Sequence, residues 1–346
     1  MLSMKKFITL GLILLCASTA FAGVDPAAYL KTGVGARALS MGGAYTSISD
    51  DPTAIYWNPA GLALVNQIAF SAMGQSLGST QWETLKDIDP TYQFLGVTFP
   101  FKPLAAIFSK STMGVGLISN SLSNVTYSYL DTSGVIVRDT FADTENTYFV
   151  SYGFALSEPD RIYAGTTLKY LTQNFSKISG ANASGYDLDA GLLYGITETA
   201  NLGLVLQKGA QLSWANGRTD TAGIATKLGA SNKFTLIKDL SLLGAIDLTQ
   251  RKSEPLSTNI GSELGYEPKG ISAGKFALEG LYLRGGLDGY AIENRYDYLT
   301  KINNNLNLTC GFGINANCFG VLVQFDYSMG FYRLGNKNRF TLSIFI

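Results

Sequence analysis

Apolar and polar residues alternate along most of this chain, from Gln67 to the last residue. Between Tyr186 and Gly195, for example, the even-numbered positions carry tyrosine, leucine and alanine, whereas most odd-numbered ones carry aspartate or glycine. A period of two indicates β-strands, because successive side chains of a strand point to opposite faces of its sheet. The runs up to Ile346 give about fourteen strands if 113–130 is one long strand, and an even count is typical of bacterial outer-membrane barrels.

The alternation alone does not show which face of the sheet meets water. A soluble β-sandwich buries its apolar face, whereas a membrane barrel turns that face to lipid and keeps a polar interior. Tyr186 and Tyr194 flank an apolar stretch at a separation that suits the two aromatic girdles of a tilted membrane strand. The opposite face carries charges of both signs, which we expect to form a polar network in the lumen: Lys169, Asp187, Asp189, Asp247, Glu263, Arg284 and Asp326.

The predicted fold class is therefore all-β, a transmembrane antiparallel β-barrel of about 14 strands over residues 66–346. The chain ends on a predicted strand, as outer-membrane barrels do, although their last residue is usually phenylalanine and here it is Ile346. A short periplasmic turn is predicted at 158–160. Polar, glycine-containing stretches are predicted to be outward loops, namely 131–145, 174–184, 214–220 and 289–305.

Residues 1–22 are predicted to be a secretory signal peptide. Lys5 and Lys6 supply its charged region, an apolar run follows from Phe7, and small residues precede a cleavage site after Ala22. The apolar run is shorter than the ~20 residues that a membrane-spanning helix needs. A lipoprotein signal at Cys16 is rejected because a leucine precedes it where a small residue would be expected. We therefore expect an exported protein of the cell outer membrane.

Composition narrows the chemistry of the chain. It has 346 residues, no histidine and a formal net charge of zero, which disfavours a nucleic-acid partner, since such a partner would need a basic face. Without histidine there is no usual general base and no common metal ligand, so neither an enzyme nor a bound cofactor is predicted. Cys310 and Cys318 fall on opposite faces of their predicted strands, so we expect both thiols to be free.

Two patterns suggest chemistry but have simpler explanations. The run 33–38 spells a dinucleotide-binding fingerprint, but it lacks the preceding strand and the βαβ unit that this motif requires. Asp187 and Asp189 could form a carboxylate pair like that of a glycosidase. Carboxylates on the polar face of a barrel are more often partners of lumen Lys and Arg side chains, and we interpret them in that way.

The stretch 35–63 holds the densest set of unusual residues in the chain. Paired glycines allow a close backbone approach or positive φ, and Asp-Pro and Asn-Pro begin turns. A short helix is predicted after Asp51, with Pro52 in its first turn and Asp51 as its cap. Arg37 could pair with the neighbouring aspartates or with a lumen acid. So small a segment must pack against something larger, and its distinctive residues are Arg37, Gly42, Gly43, Asp50, Asp51, Trp57, Asn58, Pro59 and Gly61.

The run GARALSMGG…DDPTAIYWNPAGLA resembles the N-terminal signature of the PorV/PorQ outer-membrane proteins, which are relatives of the FadL-type fatty-acid channels. The segments AGTTLKYLTQNF, YDLDAGLLYG, NLGLVLQKGA and FDYSMG…LGNKNRFTLSIFI resemble strands of the same barrels. The resemblance implies that residues 23–65 fold into the lumen as a short helical and coil plug.

Two functions follow from this resemblance. The first is passive uptake of hydrophobic small molecules such as long-chain fatty acids, with outer-membrane lipid and a hydrophobic ligand as partners. The second is a PorV-like shuttle or anchor in type IX secretion, which binds exported cargo proteins and works with secretion-system proteins. The chain is short for a shuttle and its predicted loops are modest, which favours transport. A porin-like structural barrel is a third reading, disfavoured because the N-terminal segment would obstruct a wide channel.

Overall fold

The structure is a computed structural model that describes residues 26–77, 89–101, 110–130, 132–157, 161–178, 180–252, 254–291, 307–332 and 335–346. The predicted signal peptide and the predicted turn at 158–160 lie outside these residues. Among the described residues, none of the helices has the length and hydropathy needed to cross a bilayer.

Within the described residues, seventeen strands form one antiparallel sheet that closes on itself. They are β1 (Ala69–Leu77), β2 (Asp89–Pro100), β3 (Ser111–Leu130), β4 (Ile136–Ser157), β5 (Ile162–Phe175), β6 (Asn182–Gly195), β7 (Ala200–Gln207), β8 (Gln211–Trp214), β9 (Thr219–Thr221), β10 (Ala225–Ile237), β11 (Leu240–Arg251), β12 (Ser257–Tyr266), β13 (Ser272–Ala273), β14 (Phe276–Ala291), β15 (Asn307–Cys318), β16 (Val321–Tyr332) and β17 (Gly335–Phe345).

Closure leaves a barrel of 14 strands, as the sequence predicted. β1 pairs with both β2 and β17, β7 pairs directly with β10, and β12 pairs directly with β14. The short strands β8, β9 and β13 are therefore side hairpins outside the closed ring. Because every edge is paired, the backbone groups of the ring are satisfied within the sheet.

Residues 26–65, here called the plug, lie inside the barrel. The plug contains four short helices, Ala28–Thr32, Ala36–Ser40, Ala54–Trp57 and Pro59–Leu64, of which the first and last are 3-10 helices. Helices this short cannot bury a core of their own. Their apolar side chains share one buried cluster with lumen-facing residues of the wall, such as Phe94 and Phe149.

The outer face of the barrel is an apolar belt. Outward side chains such as Leu95, Leu168 and Leu283 are about half exposed or more, with fractions of 55%, 49% and 65%. So large an exposed apolar surface is unusual for a soluble monomer and is the face that a membrane barrel presents to lipid. Tyr148 and Tyr170 lie beside each other in this belt, with ring centroids 6.2 Å apart.

We call the end of the barrel that holds the β3–β4 and β11–β12 connections the loop end, and the opposite end, with the short β10–β11 and β15–β16 connections, the turn end. Two loop predictions at the loop end were wrong. Residues 136–145 belong to β4, which pairs with β3 as a long hairpin, and 214–220 is largely a β8–β9 hairpin closed by a Trp214–Asp220 hydrogen bond of 2.7 Å. Residues 136–145 are half-buried or exposed on both faces of β4, so their alternation is weak although their backbone still pairs with β3.

The other loop predictions need smaller changes. The connection predicted at 174–184 is shorter, because β5 ends at Phe175 and β6 begins at Asn182. The one predicted at 289–305 overlaps β14, which continues to Ala291, and 292–305 lies outside the described residues. Cys310 and Cys318 are free, but the reason predicted for this was wrong, because both lie on one strand, β15, and not on two. Their separation along an extended strand is too long for a disulfide.

Candidate functional site

The paired glycines of the plug form a turn against the barrel wall. Gly42 and Gly43 have φ values of 65° and 74°, which favour glycine. At Gly42 a side chain would also meet the backbone of Leu287 on β14. The turn is held by hydrogen bonds from the Gly42 amide to Thr309 Oγ1, at 3.0 Å, and from Asn259 Nδ2 to the Gly42 carbonyl, at 2.5 Å. Both functions of glycine predicted from sequence therefore apply at this one position.

The Asn58-Pro59 pair connects the plug to itself and to the wall. Asn58 Nδ2 donates to the carbonyl of Thr46 in the plug, at 2.8 Å, and to that of Leu192 on β6, at 3.1 Å. Its Oδ1 accepts from the Ala60 amide at 3.1 Å and so caps the helix that Pro59 begins. Asn58 is fully buried. Within the lumen its amide group joins three segments: the turn at Thr46, the wall strand β6 and the helix that begins at Pro59.

Replacing Asn58 and Pro59 together with alanine should loosen the plug. Asn58→Ala removes three buried hydrogen bonds, to Thr46, Leu192 and Ala60, and each buried polar group that is then left unpaired costs about 1–3 kcal/mol. Proteolysis of the intact barrel should then cut within 35–63 faster than in the wild type. Thr197→Ala, an exposed turn residue outside the plug, is the matched control, and an unchanged cleavage rate in the double variant would show that this pair does not anchor the plug.

The predicted helix after Asp51 is present but begins later, at Ala54. Asp51 does not cap it directly. Its Oδ1 accepts from the amide of Thr53, at 2.8 Å, and so closes a turn that contains Pro52. Trp57, on the same helix, donates its indole N–H to the carbonyl of Val34 at 2.8 Å.

Arg37 links the plug to the wall. It pairs with both kinds of partner considered from the sequence, a neighbouring aspartate and an acid of the lumen wall. Its Nε and Nη2 donate to the two carboxylate oxygens of Glu263 on β12, at 2.9 and 3.1 Å. Its Nη1 donates to Asp50 Oδ1 at 2.6 Å and to the Tyr45 hydroxyl at 3.0 Å. The bidentate pairing of Arg37 with Glu263 is the strongest geometry available to an arginine and a carboxylate.

Tyr45 extends the same group of residues within the plug. Its hydroxyl donates to Asp51 Oδ2 at 2.6 Å. Burial raises the pKa of the Tyr45 phenol well above its usual range, so the side chain stays neutral and continues to donate. The turn around Asp50 and Asp51 is thus tied to the Arg37 helix by a continuous set of hydrogen bonds.

On the wall, Glu263 belongs to a buried row of charges. Arg284 Nε donates to Glu263 Oε2 and Arg284 Nη1 to Asp326 Oδ1, each at 2.6 Å. Gln324 donates to the other oxygen of Asp326 at 2.9 Å. Arg37 therefore docks on a wall site whose charges are already paired with one another. We call Arg37, Asp50, Glu263, Arg284 and Asp326 the Arg37 cluster.

The remaining wall charges predicted as one lumen network form two separate groups. Lys169 is buried and pairs with Asp187 and Asp189, at 3.0 and 2.7 Å. Asp247 accepts from the amides of Tyr45 and Thr46, at 3.0 and 2.9 Å, and so holds the plug backbone. The Asp187–Asp189 pair thus has a lysine as its shared partner, as expected for a structural role.

The wall is shaped to fit the plug by lumen-facing glycines that the sequence analysis did not single out. A Cβ added at any of them would come within 3.0 Å of a plug atom, closer than real Cβ atoms come. Gly153, Gly165 and Gly191 are paired side by side on β4, β5 and β6, and all three face the Asn58-Pro59 segment. We call the nine residues the glycine belt: Gly114, Gly153, Gly165, Gly191, Gly203, Gly229, Gly261, Gly286 and Gly311.

Cavities lie on both sides of the plug. At the turn end, a cavity of about 350 Å³ is lined by charged residues that include Arg37, Asp50 and Lys233. At the loop end, a cavity of about 320 Å³ lies over Tyr56 and Trp57. A larger one of about 630 Å³, which we call the seam cavity, lies beside β1, β2 and β17, where the barrel closes. Its lining includes Tyr29, Pro90, Tyr92, Leu122 and Tyr332.

The 320 Å³ cavity contains a buried cation. Lys227 on β10 places its Nζ 5.6 and 5.3 Å from the ring centroids of Tyr56 and Trp57. These cation–π contacts fix the ammonium group over the plug. Arg251 lines the same cavity.

No protein-family model matches this chain, and no curated protein matches it in sequence. Solved structures show the same fold. The toluene transporter TodX of P. putida has 12% identity and a TM-score of 0.55, with 90% of this chain and 96% of that chain covered. TbuX, the toluene transporter of Ralstonia pickettii, has 13% identity and a TM-score of 0.53, with 90% of this chain and 97% of that chain covered. A FadL homologue of Pseudomonas aeruginosa has 11% identity and a TM-score of 0.52, with 95% of this chain and 99% of that chain covered. The fold is thus that of FadL-like barrels.

Proposed function

We propose that this protein is a FadL-like channel of the outer membrane that takes up hydrophobic small molecules, such as long-chain fatty acids, without catalysis. The observation that carries the proposal is the seam cavity, which lies between the plug and the wall and has aromatic and aliphatic side chains in its lining. The apolar outer belt supports a position in a lipid bilayer. Export through the signal peptide at 1–22 and outer-membrane lipid as a partner belong to the same proposal.

The presence of the plug favours a channel for selected lipophiles and disfavours an open pore. Buried residues from Val34 to Ala63 fill the lumen between the loop-end and turn-end cavities, so water and small polar solutes have no wide path. A lipophile bound at the loop end would pass only after part of the plug moves. The neighbours TodX and TbuX are toluene transporters, and we extend only the general class, hydrophobic small molecules, to this chain.

A PorV-like secretion role is the second candidate, and one observation favours it. The β3–β4 hairpin projects from the loop end and carries exposed apolar side chains at its tip, with Leu130 and Ile136 exposed by 68% and 69%. Such a tip could contact an exported cargo protein. PorV/PorQ membership itself rests on the N-terminal motif from Gly35 to Ala63.

A native mass spectrum of the protein, extracted gently from its own membrane, separates the two functions. A bound lipophile of defined mass without protein companions is the result expected for the channel. Co-purifying exported proteins that share a C-terminal domain would instead support the secretion shuttle. A protein with neither kind of companion would contradict both and favour a porin-like structural barrel.

Deleting 35–61 should produce a barrel that inserts but leaks small polar solutes, because this segment fills the lumen between the cavities. The measurement is single-channel conductance in planar bilayers, compared with the full-length protein. Folding of the deletion variant is checked by its strand content and its resistance to heat in detergent. If the folded variant conducts no better than the wild type, residues outside 35–61 close the channel.

A further inference from the structure

The loop-end cavity of about 320 Å³ is lined by two cations, Lys227 and Arg251. Lys227 lies over the plug rings of Tyr56 and Trp57 and is only 6% exposed. Within the described part of the chain, neither its ammonium group nor the guanidinium group of Arg251 forms a hydrogen bond or an ion pair. A buried charge is usually paired, because leaving water without a partner costs free energy. Two cations of this kind in one cavity therefore call for an explanation.

The two cations are neighbours on the lumen face of the wall. Lys227 on β10 is paired in register with Thr249 on β11, and Arg251 follows two residues later on the same face. Diagonal neighbours of this kind are about 7–8 Å apart. Like charges at this distance repel each other, and an anion that lies between them replaces this repulsion by two attractions.

The acids that line the same cavity already have donors. Glu254 is paired with Lys31 of the plug. Asp247 accepts from two plug amides through its Oδ2 atom. Asp288 accepts from the Tyr332 hydroxyl at 2.8 Å. Each of these three acids is thus engaged, and the two cations remain for a ligand.

The rest of the lining favours a hydrophilic ligand. Thr32, Thr249 and Ser257 contribute hydroxyl groups to it. Tyr56 and Trp57 are only 5% and 6% exposed, so they offer little apolar surface to an alkyl chain. A phosphate group suits this lining, because near neutral pH it carries a charge of about −1.5 to −2 and accepts several charge-assisted hydrogen bonds.

We propose that the loop-end cavity binds a small hydrophilic phosphate, either the inorganic ion or a monoester, between Lys227 and Arg251, and that this anion stabilises the closed plug. The two cations belong to the wall, whereas Thr32 belongs to the plug. An anion that accepts from all three adds a direct connection between plug and wall. The ligand is an effector and not the transported lipophile, so this inference goes beyond the proposed channel function and does not rest on it.

Isothermal titration calorimetry of the full-length protein in an amphipathic polymer tests the binding. Inorganic phosphate and glycerol 3-phosphate are titrated in separate experiments, both in excess chloride at constant ionic strength. Lys227→Met and Arg251→Met should each weaken binding by about tenfold or more, the effect of losing one charge-assisted hydrogen bond. The probe that binds more tightly to the wild type shows whether the site is built for the free ion or for an ester.

Lys233→Met is the matched control, because Lys233 lies on the same strand but lines the turn-end cavity. It should leave phosphate binding unchanged. Since Lys227 and Arg251 have no ion pair to break among the described residues, their replacement by methionine should not lower the unfolding temperature of the barrel. Thermal unfolding of each variant checks this.

The effect on the plug is measured by hydrogen exchange in Ala54–Trp57, the plug helix that Lys227 contacts. If opening of the plug dismantles the site, a phosphate concentration ten times the dissociation constant should slow this exchange by about tenfold. In Lys227→Met, the same phosphate concentration should leave the exchange unchanged.

Three outcomes would overturn the inference. The first is that neither phosphate binds to the wild type. The second is binding that is equally strong in Lys227→Met and Arg251→Met, which would place the anion elsewhere on the protein. The third is displacement of phosphate by decanoate at a lower concentration than phosphate itself requires, which would mean that the cavity serves the transported lipophile. Binding with unchanged exchange would support the site and contradict its effect on the plug.

Discussion

Replacing Gly165 and Gly191 with valine is expected to drive the plug out of the lumen and to open the barrel to small polar solutes. A Cβ at Gly165 would overlap the carbonyl group of Pro59, and one at Gly191 would overlap the amide oxygen of Asn58. Each valine adds three carbon atoms where not one fits. Overpacking costs about 1–3 kcal/mol per site when neighbours can shift, but here the obstacle at Gly165 is plug backbone, so we expect the upper part of that range or more.

The effect should appear in two measurements on the same protein. Single-channel conductance should rise towards that of the 35–61 deletion, and added protease should cut the plug while the barrel stays intact. Gly244→Val is the matched control, because a Cβ at that β11 position meets nothing within 4 Å. A double variant that remains closed and resistant to protease would mean that the wall yields to the plug, and the glycine belt would then have no role in holding it.

The belt also explains part of the unusual glycine content of the chain. The sequence has 38 glycines, and the period of two places several of them on the polar face, opposite the apolar side chains. Why they stand there could not be predicted, since the reason depends on the plug. Gly153, Gly165 and Gly191 are far apart in sequence and become neighbours only through the strand register. The missing side chains leave room for one particular folded segment.

The strand number could be predicted because it depends on a local pattern, whereas the plug was expected from the resemblance of its motif to a known family. Alternation marks each strand wherever one face meets lipid and the other a polar lumen. It fails for residues 136–145, which are half-buried or exposed on both faces of β4. The grouping of lumen charges also escaped prediction. Lys169 stands directly opposite Asp187 across β5 and β6, and only this register determines which acid meets which base.

Removing the Arg37 side chain should release the plug without weakening the barrel. Arg37→Met eliminates hydrogen bonds to Glu263, Asp50 and Tyr45. Breaking a buried ion pair costs about 3–5 kcal/mol, and because the side chain of Asp50 is 43% exposed and can be solvated, we expect about 2–4 kcal/mol here. Amide hydrogens of residues 36–50 should then exchange on the order of a hundred times faster.

The barrel itself should keep its stability in this variant, because Glu263 is still paired with Arg284, and Arg284 with Asp326. Its thermal unfolding should therefore change little. Lys233→Met is the matched control: its ion pair with Glu267 is about half exposed, and such pairs contribute at most about 1 kcal/mol. If exchange in 36–50 stays slow in Arg37→Met, the plug is held by its other contacts with the wall, such as those of Asp247, Asn58 and the glycine belt.

Glu263→Gln provides the contrasting case, because Glu263 serves both the plug and the wall. The substitution takes a partner from Arg37 and from Arg284 together, and it leaves the fully buried Arg284 guanidinium with Asp326 as its remaining ion-pair partner. We therefore expect faster exchange in the plug and also a lower unfolding temperature of the barrel. Plug release alone in Arg37→Met, but both effects in Glu263→Gln, would establish that the Arg37 cluster has two separable halves: a wall pair that stabilises the barrel, and a plug arginine that determines whether the lumen is closed.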